Sequence, residues 1–437
     1  MPCAMPWTDA EMNATAPAAT ARVARIGSID DLQCLARRRV PKLFYDYVDG
    51  GSWSESTYHA NEKDLARLCF RQRVARDVDK IDLRRRILGH SCSLPLTLAP
   101  TGLAGMVHAD GEILAARAAK AAGVPFTLST VSICSLEDVA KHVGGGFWFQ
   151  LYVMRDREFV AALIERARAA GCGALVLTLD LPIQGRRHKD VKNGLSVPPR
   201  ITPASLLAML SRPAWCARML GTPRRTFGNI VGHAKGVGGT AAFAEWVSQQ
   251  FDRTVSWRDV AWVKRQWGGP LVVKGVLDAD DARLAVDAGA DALVVSNHGG
   301  RQLDGAPSSI SALPEIVAAV GHRTEVMMDG GVRSGQDILR ALALGAHAVS
   351  IGRAYLYGLG ALGEAGVTRC LAILQDELEA TMALCGLAEL GAVDRRALIG
   401  ADVAHSRQAA RLASIASAAA PGTQQAVPSN EETAHVW

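Results

Sequence analysis

The chain has 437 residues, of which 49% are hydrophobic, 5% aromatic and 21% charged, and it carries a net charge of +5. These values exclude a disordered chain, a bundle of membrane-spanning helices and a strongly basic, nucleic-acid-binding protein. The nine cysteines are scattered and form no C-x-x-C pair. The sequence therefore predicts neither a metal site nor a disulfide framework, and favours a reduced, cytoplasmic protein.

The two ends of the chain show no apolar periodicity. The first 25 residues are rich in Ala, Met and Thr and lack the basic and apolar regions of a secretory signal. The end of the chain is rich in Ala, Ser, Gln and Pro. We expect residues 1–25 and 401–437 to be disordered, and we expect one folded domain over 26–400.

Eight short apolar runs show the continuous pattern of strands that are buried on both faces. They lie at 96–100, 126–130, 147–152, 174–180, 271–275, 292–297, 325–330 and 347–352. Ala-rich, charged stretches of helical character separate many of them, namely 110–122, 157–170, 278–288 and 335–344. Eight strands, each followed by a helix, predict an α/β protein with a (β/α)8 TIM barrel behind an N-terminal helical extension. A doubly wound parallel sheet is the alternative.

Nearly every predicted strand ends in a residue that can take part in chemistry. These residues are Thr101, Ser129, Gln150, Tyr152, Thr178, Asp180, Lys274, Ser296, His298, Asp329, Gly352 and Arg353. Active sites of (β/α)8 barrels lie at the carboxyl ends of the strands. We therefore expect these side chains to converge on one mouth of the barrel.

The interval between the fourth and fifth predicted strands is much longer than a strand–helix connection needs. Within 191–240 there are seven Lys and Arg residues and no Asp or Glu, with Leu, Met and Trp among them. A basic segment with an apolar face predicts a membrane-docking insertion over 188–250, and a mobile basic lid is the alternative. A G-x-G-x-x-A string at 236–241 follows no predicted strand, so we do not interpret it as a dinucleotide site.

Two glycine-rich motifs follow the seventh and eighth predicted strands. They are DGGVRSG at 329–335 and IGRA at 351–354. Glycine lets backbone N–H groups approach phosphate oxygens, and Arg333 and Arg353 can add charge-assisted hydrogen bonds. Because these two loops commonly bind phosphate in this fold, the motifs predict a mononucleotide site. Two tight left-handed turns are the structural alternative.

The segment SNHGGRQLDG, at 296–305, follows the sixth predicted strand. Its glycines allow a bend that directs His298 and Arg301 into one cavity, where imidazole suits proton transfer and guanidinium suits a carboxylate. Asp180 can orient the imidazole. Lys274 ends a buried strand, and its spacing leaves open either a Schiff-base lysine or a fixed charge beside a cofactor.

Together with these residues, several longer motifs resemble one family. SNHGGRQLDG, DGGVR, LVVKGV, FWFQLYV and PKLFYDYVDGGSWSE are similar to the FMN-dependent L-2-hydroxy acid dehydrogenases and oxidases. FTLSTVSICSLEDVA, QQFDRTVSWRDVAWV and GVLDADDARLAV resemble the bacterial membrane-associated, quinone-linked L-lactate dehydrogenases within that family. The resemblance spans about residues 28–395.

The resemblance implies a role for each matching residue. His298 is the base and Asp180 pairs with it, while Tyr47, Tyr152, Arg187 and Arg301 bind the substrate. The residues implied to contact FMN are Thr101, Gly102, Ser129, Gln150, Thr178, Lys274, Ser296, Asp329, Gly330, Gly331, Arg333, Gly352 and Arg353. Lys274 is then a charge beside the flavin. Gly102 stands where plant-type oxidases carry Ala, which implies poor reactivity with oxygen. Val131 replaces a Trp of glycolate oxidases, which implies a wider pocket.

The implied function is oxidation of an L-2-hydroxy acid, with L-lactate to pyruvate favoured and membrane quinone as the acceptor. An oxidase that forms H2O2 and an L-mandelate-type dehydrogenase are the alternatives. The proton removed by His298 comes either from the α-carbon or from the hydroxyl group. We expect a homotetramer bound peripherally to the cytoplasmic face of the inner membrane, and no nucleic-acid partner.

Overall fold

The computed structural model describes residues 23, 25–195, 203–233 and 250–399. The G-x-G-x-x-A string at 236–241 and nearly all of the two predicted disordered ends lie outside the described residues, as do parts of the predicted insertion.

Eight parallel strands form the central sheet, in the order β4-β11-β10-β9-β8-β7-β6-β5. Their bounds are Leu96–Leu98 (β4), Thr127–Ser129 (β5), Trp148–Leu151 (β6), Ala174–Thr178 (β7), Leu271–Val276 (β8), Ala292–Val295 (β9), Glu325–Asp329 (β10) and Ala348–Ile351 (β11). A parallel bridge between Leu98 and Phe126 joins the two ends of this order and closes the barrel. The predicted (β/α)8 barrel is therefore confirmed, and the doubly wound alternative is wrong.

Helices follow the barrel strands and surround the sheet. Those after the first four strands are Ala104–Val107 (α4), Gly111–Ala121 (α5), Leu136–Val143 (α6), Arg157–Ala169 (α7), His188–Lys192 (α8), Pro203–Leu210 (α9), Pro213–Gly221 (α10) and Trp257–Trp267 (α11). Those after the last four strands are Ala279–Asp287 (α12), Ser309–Val320 (α13), Gly335–Ala343 (α14), Arg353–Leu362 (α15) and Glu364–Leu384 (α16).

Several helices begin at serine capping boxes, which fix the residue at which the preceding loop ends and the helix starts. At α6, the backbone N–H of Asp138 donates to Ser135 Oγ at 3.0 Å, and the N–H of Ser135 donates to Asp138 Oδ2 at 3.1 Å. Ser334 and Asp337 make the same pair at α14. Each box satisfies two N–H groups that have no partner within their own helix.

The inside of the barrel is packed with side chains from alternate positions of its strands. This inner cluster contains Ile87, Cys92, Trp148, Ala174, Val176, Val272, Ala292, Val294, Met327 and Ala348. Ile87 and Cys92 come from a two-stranded hairpin, Arg85–Ile87 (β2) and His90–Cys92 (β3), so the hairpin closes the amino-terminal end. The opposite mouth is left for a functional site.

An N-terminal extension of three helices lies against this mouth. Its helices are Ile29–Arg39 (α1), Lys42–Asp49 (α2) and Ser56–Ala66 (α3). The backbone N–H of Ser52 donates to the carbonyl of Gly300 at 2.9 Å, which ties the α2–α3 loop to the loop after β9. A short strand pair, Cys69–Phe70 (β1) with Leu398–Ile399 (β12), follows the extension and joins it to the last described residues.

The region between β7 and β8 contains helices that expose apolar side chains. On α9, Leu206, Leu207 and Leu210 are 50%, 70% and 62% exposed, and Leu220 of α10 is 74% exposed. Within the described ranges, no helix combines the length and the apolar character that crossing a membrane requires.

Among the cysteines of the described residues, one differs from the expectation. Cys69, Cys92, Cys134, Cys172, Cys216, Cys370 and Cys385 are free thiols. Cys34 is disulfide-bonded, so the expectation of a fully reduced chain is wrong at this residue.

Candidate active site

A cavity of about 580 Å³ opens at the carboxyl-terminal mouth of the barrel. Every predicted site residue lines it except Asp180 and Ser296. These two residues hydrogen-bond to lining residues, Asp180 to His298 and Ser296 to Lys274. The mouth of the barrel thus brings residues together that are more than 300 positions apart in the chain, such as Tyr47 of the extension and Arg353 after β11.

His298 and Asp180 form a hydrogen-bonded pair, with Nδ1 of the imidazole 2.8 Å from Oδ1 of the carboxylate. An ionised carboxylate only accepts, so Nδ1 carries the proton and Nε2 is left to accept one. Burial lowers the pKa of His298 below its usual value, although the Asp180 charge opposes this shift. The imidazole is therefore neutral at neutral pH and available as a base.

The backbone at His298 explains how the imidazole is directed. His298 has a φ of 57°, in the left-handed region, and Gly299 and Gly300 follow with 65° and 70°. A Cβ at Gly300 would lie 2.4 Å from the backbone nitrogen of Tyr58, so only glycine allows this close approach. A non-glycine residue held at positive φ is uncommon and is found disproportionately at functional sites.

Asp180 is accommodated by an irregularity in the next strand. The pairing of β8 with β9 shifts register between Lys274 and Val276. The residue between them, Gly275, has a φ of 105°, and a Cβ there would lie 2.7 Å from Cβ and Cγ of Asp180. Burial opposes ionisation of Asp180, but the interaction with His298, which includes the hydrogen bond from its imidazole, and the positive charge of Lys274 outweigh it and hold the pKa of the carboxyl below its usual value.

Lys274 is buried and fully engaged in charge pairing. Its Nζ lies 3.0 Å from Asp329 Oδ2 and donates to Ser296 Oγ at 2.9 Å. Burial alone would lower the pKa of Lys274, but the charges of Asp329 and Asp180 raise it above its usual value. A permanently protonated ammonium is a poor nucleophile, so this geometry favours a fixed charge over a Schiff-base lysine.

Two guanidinium groups flank the ring of Tyr47. The Cζ atoms of Arg301 and Arg187 lie 4.8 and 5.6 Å from the ring centroid. NH1 of Arg301 donates to the carbonyls of Tyr47 and Gly50, and Arg187 pairs with Asp190 at 3.3 Å. Burial, and then the charge of Arg187, lower the pKa of Arg301. Two cations in one buried region favour binding of an anionic group between them.

The structural reason for glycine differs between the two positions after β10 and the position after β11. Gly330 and Gly331 have φ values of 96° and 84° and pack against Asn61, so the backbone conformation requires glycine whether or not a phosphate binds. Gly352 has a negative φ, and a Cβ there would meet nothing closer than Thr101 Cγ2 at 3.7 Å. The free space at Gly352 lies at the start of α15, where N–H groups favour an anion.

The two arginines beside these glycines are held by protein groups. Arg353 donates to three backbone carbonyls, those of Val48, Gly50 and Gly299. NH2 of Arg333 lies 2.9 Å from Glu62 Oε1. Both guanidiniums are therefore fixed in place at the wall of the cavity.

Among the buried polar atoms of the cavity wall that have no hydrogen-bond partner in the described part of the chain, three belong to the barrel strands. They are Nε2 of Gln150, Oγ1 of Thr178 and Oδ1 of Asp329. Leaving such groups unpaired is costly, so they indicate a ligand with complementary donors and acceptors. A flavin ring and a ribityl chain offer both, and these residues therefore fit FMN. The described ranges contain no group of three or more His, Cys, Asp or Glu side chains able to hold a metal ion.

Sequence reasoning missed two kinds of site residue. Asp190 lines the cavity and pairs with Arg187. The sequence offered only its position three residues after Arg187 as an indication of this pairing. The apolar part of the wall comes from elements distant in sequence. It includes Leu43, Phe44, Leu103, Met106, Met209, Phe227 and Phe251. Only the tertiary fold brings the extension, the first barrel loop and the insertion together there.

Comparisons with known proteins agree with this geometry. Residues 36–400 match the protein family described as FMN-dependent dehydrogenase. An L-lactate dehydrogenase of Caulobacter vibrioides is 47% identical over 375 residues, which cover 85% of this chain and 97% of the relative. The crystal structure of the monotopic membrane protein (S)-mandelate dehydrogenase is similar, with a TM-score of 0.82, 36% identity and coverage of 86% and 99%. A mandelate oxidase structure has a TM-score of 0.73, 39% identity and coverage of 85% and 97%.

Proposed function

Because the chain belongs to the FMN-dependent dehydrogenase family, we propose that it oxidises L-lactate to pyruvate and transfers the electrons to a membrane quinone. The observation that carries this proposal is the arrangement of one neutral, carboxylate-paired imidazole and two guanidiniums around a single cavity. These groups match a small hydroxy acid anion, which needs a base and a positively charged binding site.

FMN is held by the residues that surround the unpaired polar atoms of the wall. Gln150, Thr178 and Asp329 provide those atoms, and Lys274 provides a charge beside the ring system. We assign the phosphate end to the loops that contain Gly330, Gly331, Arg333, Gly352 and Arg353, with Thr101, Gly102, Ser129 and Ser296 completing the site. FMN, when bound, takes up the two electrons that leave the substrate and passes them to the acceptor.

The substrate carboxylate binds between Arg301 and Arg187, with Tyr47 beside both guanidiniums. Tyr152 remains protonated, because burial raises the pKa of its phenol, so it can donate a hydrogen bond to the substrate. Nε2 of His298 takes up one proton as two electrons leave the substrate, and Asp180 stabilises the imidazolium that forms. Oxidation of lactate to pyruvate releases two electrons and two protons, which a quinone consumes to form the quinol.

A membrane quinone, the proposed acceptor, is dissolved in the lipid bilayer. The insertion has a surface that is suited to contact with a bilayer. Helix α9 exposes three leucines, and the predicted insertion also contains an excess of Lys and Arg. An apolar face with basic residues favours peripheral binding to anionic lipid. We therefore propose that the protein docks on the cytoplasmic face of the inner membrane through this insertion.

A second candidate function is a 2-hydroxy acid oxidase that returns the electrons to O2 and forms H2O2. The similarity to a mandelate oxidase structure, at 39% identity, is the observation that supports this second function. An aromatic substrate such as L-mandelate is the corresponding alternative to L-lactate, since Phe227 and Phe251 add apolar area to the cavity.

Steady-state assays with matched donors and acceptors separate these candidates. Purified protein is given L-lactate, D-lactate or L-mandelate, with either a short-chain quinone or air as the acceptor. The proposal predicts that L-lactate with quinone is fastest, that D-lactate is inactive, and that H2O2 is a minor product. If turnover in air is as fast as turnover with quinone and yields one H2O2 per substrate oxidised, the protein is instead an oxidase. If L-mandelate is turned over faster than L-lactate, L-mandelate is the preferred substrate.

A further inference from the structure

The chain that returns from the exposed helices of the insertion is fastened to the barrel rim. We define the return segment as residues 222–231, which directly follow α10. Thr222 Oγ1 donates to Asp110 Oδ1 at 2.7 Å, and Arg224 pairs with Asp110 at 3.0 Å and with Asp138 at 2.8 Å. These contacts attach the segment to the residue that precedes α5 and to the first turn of α6.

Asn229 is the most deeply buried polar residue of the return segment, with 0% exposure. Its Nδ2 donates to Ser132 Oγ at 2.9 Å and to the carbonyl of Ser129 at 3.3 Å. Its Oδ1 accepts from the backbone N–H of Leu136 at 2.8 Å. One side chain therefore spans the whole connection from the end of β5 to the start of α6, which we call the β5–α6 loop (residues 130–135).

The residue before Asn229 shows how closely the two chains approach. The N–H of Gly228 donates to the carbonyl of Ile133 at 3.2 Å. A Cβ at Gly228 would lie 2.7 Å from both that carbonyl oxygen and the backbone nitrogen of Ser135. Only glycine permits this contact, so the return segment and the loop are packed backbone to backbone.

The β5–α6 loop forms part of the cavity wall. Ser129 and Val131 line the cavity, and Ser129 Oγ accepts from the N–H of Val131 at 3.2 Å and donates to Gln150 Oε1 at 3.1 Å. On the other side of the loop, the buried carboxylate of Glu112 accepts from the N–H of Ile133 at 3.0 Å. The loop is thus held between Glu112 and Asn229.

We propose that Asn229 is a positioning residue, which fixes the β5–α6 loop against bound FMN and couples the inserted helices to the cofactor site. The inference rests on the proposed function for the identity of the ligand. It distinguishes two parts of the insertion: helices α9 and α10 expose the apolar surface, with Met209 of α9 also in the cavity wall, whereas Asn229 of the return segment fixes the β5–α6 loop. Loss of residues 222–231 should then weaken FMN binding more than exchange of residues 203–221 does.

The test compares Asn229→Asp and Asn229→Ala with the control Thr222→Val in the full-length protein. Asp keeps the size of the side chain and the acceptor for Leu136 but loses the N–H donor to Ser129 and Ser132. Val removes the hydroxyl of Thr222, which donates to Asp110 and accepts from the N–H of Arg224, and neither of these hydrogen bonds involves the β5–α6 loop. The readouts are hydrogen exchange across residues 129–136, the dissociation constant of FMN and the rate of flavin reduction by L-lactate.

We expect faster exchange at residues 129–136, an FMN dissociation constant raised about tenfold, and flavin reduction slowed by one to two orders of magnitude in both Asn229 variants. Thr222→Val is expected to match the wild type in all three. If the Asn229 variants match Thr222→Val, the positioning role is overturned. Should Asn229→Ala fail to fold, Asn229→Asp alone decides, and Ser132→Ala, which removes the shortest Nδ2 contact together with the hydrogen bond from Ser132 Oγ to the carbonyl of Cys134, is expected to show the same changes with a smaller effect.

Failure of the inference is distinguishable from failure of the proposed function. If wild-type flavin is not reduced by L-lactate or L-mandelate, the proposed function fails, but the hydrogen-exchange and FMN-binding readouts still decide the role of Asn229. If the wild type is reduced and the loop does not respond to Asn229, only the inference fails.

Discussion

His298 combines an unusual backbone conformation with a partly buried imidazole that is hydrogen-bonded to Asp180. Its φ of 57° places the imidazole next to Asp180, and the two following glycines let the chain pass beside Tyr58. Strain of this kind persists only where the surroundings fix it. At the scale of single residues, the site depends on this turn as much as on the chemistry of the imidazole.

His298→Gln tests the assignment of the base. Glutamine is close in size but cannot accept a proton at neutral pH, so we expect the variant to retain yellow FMN and to lose flavin reduction by about 10²- to 10⁴-fold. Stopped-flow absorbance with L-lactate measures this rate. A variant that is reduced at a rate near the wild-type value would remove His298 from the mechanism.

Gly275→Ala tests the register shift that accommodates Asp180. The new Cβ would meet Asp180 at 2.7 Å and would place alanine at a φ of 105°. We expect slower flavin reduction by at least about tenfold, because displacement of Asp180 misorients the imidazole. Gly146→Ala is the matched control, since its φ is 92° but nothing lies within 4 Å of the added Cβ. Equal effects of the two substitutions would show that backbone strain alone is responsible.

The pH dependence follows from the lowered pKa of His298. The base must be neutral, so kcat/KM should be constant at neutral pH and fall as the pH drops through the pKa of the free protein. Because burial lowers that pKa, the midpoint should lie below the usual value of about 6.5. The measurement is kcat/KM for L-lactate between mildly acidic and mildly alkaline pH. A midpoint above the usual histidine pKa would contradict this prediction.

The strands and helices of the barrel were predictable because each carries a strong local signal. All eight predicted strands are confirmed, with ends that differ by at most two residues. Buried parallel strands are continuously apolar, and the N-termini of helices such as α6 and α14 are marked in the sequence by serine capping boxes. Both signals lie within about ten residues of sequence.

The rest of the site lacked such a signal. Asn229 and Gly228 contact the β5–α6 loop across nearly 100 residues of sequence, and nothing local marks them. The same holds for the reciprocal hydrogen bonds between Asn61 and Asn297, at 2.9 and 2.8 Å, which fix the start of the His298 turn. Such pairings follow from the fold and cannot be derived from spacing in one sequence.

At the scale of elements, α9 is the part of the insertion whose role is tested most easily. We expect Leu206→Ser, Leu207→Ser and Leu210→Ser together to weaken binding to anionic vesicles at least about tenfold, since three exposed leucines contribute more than about 1.4 kcal/mol. Reduction of a soluble dye should be unchanged. Leu284→Ser on α12, which is also exposed, is the control in the vesicle sedimentation assay. Unchanged binding of the triple variant would refute docking through α9.

The whole molecule assembles one chemical site from three parts of the chain. The extension contributes Tyr47, the barrel contributes the strand ends and Arg187, and the insertion contributes Met209 and Phe227. The barrel interior and the β2–β3 hairpin close the other end. The predicted tetramer stays a prediction, and light scattering tests it against four times the chain mass of 46.4 kDa.

The most direct test of the central claim is an anaerobic titration of the purified protein with L-lactate, followed by flavin absorbance, with D-lactate as the control. We expect L-lactate to bleach the flavin band at one equivalent per site, D-lactate to leave it unchanged, and quinone to restore the colour faster than air does. Flavin that stays oxidised with every L-2-hydroxy acid tested would refute oxidation of a 2-hydroxy acid by this protein.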